Sequence, residues 1–115
     1  MFLSQQYEKL YVQMYELANI FIMPPGLNQV YFYLNSFSDM ILILTKDAME
    51  DKKVFCTGVE TVPNIKYLFT HNSVQKLQEK IQNLNESLAH YLKEQDNATE
   101  IQAECLDILQ FMLPL

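Results

Sequence analysis

Residues 74–91 read Val-Gln-Lys-Leu-Gln-Glu-Lys-Ile-Gln-Asn-Leu-Asn-Glu-Ser-Leu-Ala-His-Tyr. The apolar positions Val74, Leu77, Ile81, Leu84, Leu88 and Tyr91 advance by three and four residues in turn, with Gln78, Lys80, Gln82, Asn83 and Glu86 on the other side. A period near 3.6 marks a helix with one buried face. Its strictness is that of a coiled-coil heptad. The spacing predicts a helix over about 73–94, and Asn72 with Gln75 resembles a capping box at its start. The narrow stripe Leu77, Ile81, Leu84 and Leu88 suits either packing inside a bundle or a seam with a second copy. Three heptads are short for a free-standing coiled coil.

Downstream, Asp96-Asn97 breaks the pattern, and Asn97 with Glu100 offers a second capping-box-like start. Ile101, Cys105, Ile108 and Met112 then form one stripe, flanked by Leu106, Leu109 and Leu113, and Pro114 closes a helix expected over 98–113. Upstream, Val54 to Thr70 is rich in β-branched residues and interrupted by Gly58 and Pro63. An irregular crossover at about 54–70 is expected there.

Before it, Leu27, Val30, Tyr31, Leu34, Phe37, Ile41, Leu44 and Ala48 predict a helix over 27–51. Within it, Met40-Ile41-Leu42-Ile43-Leu44 is apolar on every side. That predicts burial all round and marks the segment as the central element, with a short strand as the competing assignment. The first helix, 3–22, carries Leu3, Tyr7, Leu10, Met14, Leu17 and Phe21, widened by Tyr11 and Ala18. Pro24-Pro25-Gly26 stops it. The fold class expected is all-α, a compact bundle of four main helices forming a single helical domain over 1–115.

Composition supports this. Half of the 115 residues are hydrophobic, and glycine occurs twice and proline four times. Eight basic residues face fourteen acidic ones for a formal net charge of −6, and every basic residue is lysine. Without arginine, bidentate recognition of phosphate or guanine lacks its usual residue. A direct nucleic-acid partner is therefore not expected, whereas a protein partner is, either a second copy in a homodimer or a basic protein. The apolar runs Ile20–Pro25 and Met40–Leu44 are too short to span a bilayer, and the N-terminus turns polar at once. A cytoplasmic protein without membrane contact is expected.

The sequence contains no GxGxxG, GxxxxGK[ST], GxSxG or HExxH pattern. Glu86 and His90 share a helix face, a spacing that suits a surface pair better than a metal site. Cys56 with His71 lacks an orienting third group and an oxyanion site. Cys56 and Cys105 show no metal-ligand spacing, and free buried thiols are the expectation over one disulfide. No catalytic residue, metal or cofactor is assigned. Two polar features stand out instead. Asp96, Glu100, Glu104 and Asp107 align on one face of the fourth helix, either a solvated face or a stripe that docks a basic partner. Tyr11 and Tyr15 are the tyrosines expected to be exposed, as core rim or as interface.

Phe55-Cys56, Tyr91-Leu92-Lys93-Glu94 and Phe111-Met112-Leu113-Pro114 resemble the second half of the periplasmic immunity proteins that block type VI secretion amidases. The chain departs from that pattern at Leu115, where the family has cysteine, and in a longer middle, and its polar first residues are not expected to be an export signal. The resemblance adds weight only to an inhibitor reading. The function expected is a non-enzymatic protein–protein interaction module, an adaptor subunit or self-associating scaffold. Its partner surface would draw on Tyr11, Tyr15, Leu77, Ile81, Leu84 and Leu88. The alternative is a small acidic inhibitor, of immunity, antitoxin or phage anti-defence type, acting through Asp96, Glu100, Glu104 and Asp107.

Overall fold

The computed structural model describes residues 2–23, 26–49 and 71–112, with side-chain surroundings described for 8–23, 26–45 and 74–112. The helices are α1 (Phe2–Ile20), α2 (Leu27–Met49), α3 (His71–Glu94) and α4 (Ala98–Met112), and no strand occurs among the described residues. The strand alternative for Met40–Leu44 is thereby excluded. The expected crossover at 54–70, with Cys56, lies outside the described residues, as does the side chain of His71.

Side-chain hydrogen bonds fix the course of the chain. Ser36 donates to Gln13 and Tyr33 to Glu16. Gln78 donates to Thr45 and Asn85 to Ser38. Lys80 donates to Asp107 and Ser87 to Glu104. In each set one partner climbs as the other descends, so successive helices run antiparallel. α4 returns to pack on α1 and closes an up-and-down bundle of four helices.

Every helix feeds one interior cluster. Leu10, Met14, Leu17 and Phe21 enter from α1 and the turn after it, and Val30, Phe37, Met40 and Leu44 from α2. α3 contributes Val74, Leu77, Ile81, Leu84, Leu88 and Tyr91, and α4 contributes Ile101, Cys105, Ile108, Leu109 and Met112. Phe21 meets Tyr91 edge to face at 5.0 Å, joining the carboxyl ends of α1 and α3. Such a pair adds roughly 0.5–1.5 kcal/mol to the area it buries.

The α2 face differs from the one expected. Tyr33 and Met40 are buried, whereas Leu27 and Tyr31 are exposed and Leu34 and Ile41 half-buried. The Met40–Leu44 run is not buried all round, since Leu42 is 69% exposed and only Met40 and Leu44 are in the core. Four helices cover a given helix on two or three sides, so one apolar side chain of a five-residue run is left facing outward. Glu94 ends α3 because Gln95 takes φ 55°, the left-handed conformation, while its N–H still reaches the Tyr91 carbonyl at 3.0 Å. That C-terminal position is usually glycine.

Two stability measurements test this packing. Ile81→Ala should lower the unfolding free energy by about 2–5 kcal/mol in urea titration, while Leu42→Ala should change it by less than about 0.5 kcal/mol. Comparable losses at both sites contradict the assigned faces. Gln95→Gly should stabilise by roughly 1 kcal/mol by relieving the left-handed strain, and a destabilised variant contradicts that account.

Candidate functional site

The polar face between α3 and α4 is built from their facing flanks and the turn that joins them. Asn83, Glu86, Ser87 and His90 of α3 and Asp96, Asn97, Glu100 and Glu104 border an open groove of about 750 Å³. The turn is tight because Asn97 donates from its side-chain nitrogen to the Ser87 carbonyl at 2.8 Å. Its Oδ1 has no partner despite burial, so the expected capping box of Asn97 with Glu100 is not formed. The amide ties α4 to α3 instead, and the first α4 backbone bond runs from Ile101 N–H to the Asn97 carbonyl.

The four carboxylates of the expected stripe do lie along this side of α4, with unequal surroundings. Asp107 pairs with Lys80 at 2.6 Å, and the same ammonium sits 5.5 Å from the centre of the Phe111 ring. Asp96 reaches His90 Nε2 at 2.6 Å, an ion pair when the ring is protonated. Glu104 accepts from the Ser87 hydroxyl with both oxygens, at 2.8 and 3.0 Å. Burial pushes the Glu104 carboxyl up from its ordinary value, the Ser87 bond opposes this, and the neighbouring Glu100 charge adds to it. Glu86, Glu100 and Glu104 form no ion pair among the described residues. The stripe thus has a fixed counter-charge at its Asp107 end, one at its Asp96 end when His90 is protonated, and none in the middle among the described residues. Pairs as exposed as Lys80–Asp107 contribute about 0–1 kcal/mol each.

The other expected site residues divide by burial. Leu77, Ile81, Leu84 and Leu88 are 4% exposed or less and serve the interior of the bundle. They offer nothing to a partner while the bundle is closed, because α2 and α4 already flank that line on either side. Tyr11 is half-buried against the core, contrary to its expected exposure, whereas Tyr15 is 57% exposed. The sequence reading missed Tyr31, Phe32, Ile22 and Met23, which are exposed on α2 and the turn before it. Their signal was faint, since each sits near positions that equally fit a buried stripe.

Cys105 is fully buried, and burial followed by the Glu104 charge pushes its thiol up to about 12. It stays protonated at neutral pH and is a poor nucleophile. No group of three or more His, Cys, Asp or Glu side chains is placed to hold a metal ion among the described residues. Compared with protein-family models, curated proteins and solved structures, the chain finds no match in any of the three.

The raised Glu104 carboxyl has a definite consequence for stability. A carboxyl raised in the folded state favours folding at acid pH, and that contribution is lost as pH rises through the raised value. Glu104→Gln keeps an acceptor for Ser87 and removes the charge. Its urea midpoint should exceed that of the native chain at neutral pH, with the advantage shrinking as pH falls through the raised value and gone below the ordinary glutamate range. A lower midpoint at neutral pH contradicts the assignment.

Proposed function

We propose that this chain is a protein–protein interaction module, an adaptor subunit or self-associating scaffold, that performs no covalent chemistry. The observation that carries this reading is the concentration of exposed large apolar side chains on α1, α2 and their connection. Tyr15, Ile22, Met23, Tyr31, Phe32 and Leu42 are each more than half exposed. Singly exposed apolar residues are ordinary, but a group of them on two adjacent elements is the composition of a contact surface. Tyrosine, phenylalanine and methionine are also the types enriched at interfaces. On this reading the contact surface draws on α1 and α2 rather than on the α3 heptad. The reading places the protein in the cytoplasm, with no cofactor and with neither nucleic acid nor membrane as direct partner. No described helix is long and apolar enough to cross a membrane.

One observation favours a second reading, the acidic inhibitor. Glu86, Glu100 and Glu104 line one groove without an ion pair among the described residues, and there a lysine or arginine side chain of a basic enzyme would find complementary charge.

Light scattering at low and high salt tests the first reading. A dimer or larger species that survives high salt and reverts to monomer in Tyr31→Ser/Phe32→Ser supports self-association through this surface. A native chain that is monomeric throughout removes it. Parallel affinity captures then compare that variant with Glu100→Lys/Glu104→Lys. Loss of the bound protein in the first variant alone supports the apolar surface. Loss in the second alone, together with weaker binding at high salt, supports the inhibitor.

A further inference from the structure

The four helices pair unequally. α1 packs chiefly on α4 and α2 chiefly on α3, so the bundle consists of two layers that meet along two seams. The α3–α4 seam is tied by Lys80 to Asp107, Ser87 to Glu104 and Asn97 to the Ser87 carbonyl. The α1–α2 seam has the slightest backbone approach of the four. Its side-chain ties are polar, from Ser36 to Gln13 at 2.8 Å and from Tyr33 to Glu16 at 3.0 Å. Gln13 is itself buried, at 7% exposure. Val12 and Phe32, one on each helix, are more than half exposed.

We propose that the bundle opens along the α1–α2 seam without unfolding, the α1–α4 layer hinging away from the α2–α3 layer about the α3–α4 seam. The physical reason is the unequal cost of parting the seams. Hydrogen bonds such as Ser36–Gln13 and Tyr33–Glu16 are exchanged for bonds to water with little net loss. Separating helices joined by extensive apolar packing has no such compensation. Openings therefore occur where the helices approach one another least and the ties between them are polar, at lower free energy than global unfolding. This opening uncovers Tyr33, Phe37 and Met40, a face with one adaptable thioether. It goes beyond the interaction reading and does not depend on it.

The test uses thiol accessibility in the full chain. Met40 lies four residues after Ser36 and seven after Tyr33, on the flank of α2 that faces α1, and is 3% exposed. Ile81 lies between Gln78 and Asn85, on the flank of α3 that faces α2, and is fully buried. Met40→Cys and Ile81→Cys are each labelled with a small thiol reagent in native buffer, and mass spectrometry reads each site separately from Cys56 and Cys105. The urea stability of each variant sets the rate that global unfolding alone allows, so a destabilised variant remains interpretable. The Met40→Cys thiol should react roughly tenfold or more faster than that rate, with a shallow dependence on urea, while Ile81→Cys follows global unfolding. Adding Tyr33→Phe and Ser36→Ala should speed the first and leave the second tied to its own stability. The proposal is overturned if both thiols label at their global rates, or if both exceed them equally.

Discussion

The burial of the α3 stripe is the constraint on which the structure rests. Leu77, Ile81, Leu84 and Leu88 lie along a single line that α2 flanks on one side and α4 on the other. Each such side chain contributes roughly 1.5–3 kcal/mol by leaving water, and together they set where the neighbouring helices can sit. α3 has the most polar composition of the four helices, so it gains by burying one narrow line and leaving the rest in solvent. The neighbouring helices must then turn their own apolar sides toward that line. α1, with no extensive contact to α3, is held chiefly through α4 and through the Phe21–Tyr91 ring pair at one end.

Polar groups are arranged around this interior according to which seam they border. Between α3 and α4, carboxylates meet a lysine, a serine hydroxyl and an imidazole, which leaves the middle of the groove acidic and gives its Asp107 end a counter-charge. Between α1 and α2 the polar groups reach further inward. The Tyr33 hydroxyl is pushed up to about 12, first by burial and then by its bond to Glu16 and the charge of that carboxylate. A hydroxyl so placed stays protonated and acts as a fixed donor across the seam. The two seams thus differ in kind, one with carboxylates facing a lysine and an imidazole at its rim and the other tying a buried tyrosine hydroxyl to a carboxylate and a serine to a buried amide.

The fold was largely legible because strict periodicity survives without tertiary information. The stripes of α1, α3 and α4 were readable in Leu10, Met14 and Leu17, in Leu77 through Leu88, and in Ile101, Cys105 and Ile108, because polar residues separate them cleanly. α2 was not readable to the same precision. Its apolar residues, Tyr31, Phe32, Tyr33 and Leu34 among them, occur in continuous runs, and several rotations of the helix then bury nearly equal area. The choice falls to particular bonds, such as Tyr33 to Glu16 and Ser36 to Gln13, which no single-helix pattern contains. The candidate site was half legible for the same reason. Residue spacing aligned Asp96, Glu100, Glu104 and Asp107, but the partners of Asp96, Glu104 and Asp107 (His90, Ser87 and Lys80) come from another helix.

The sequence by itself determined the helices and the interior lines of three of them, because hydrophobic period and backbone preference act over a few residues. It also determined that the chain carries excess negative charge. Only the tertiary structure decided which side of α2 turns inward, and that the α3 heptad is consumed within the bundle. It also decided that tyrosine and phenylalanine side chains of α1 and α2 remain outside. Those outcomes depend on how four faces share one interior, and that competition is settled between helices rather than within any of them.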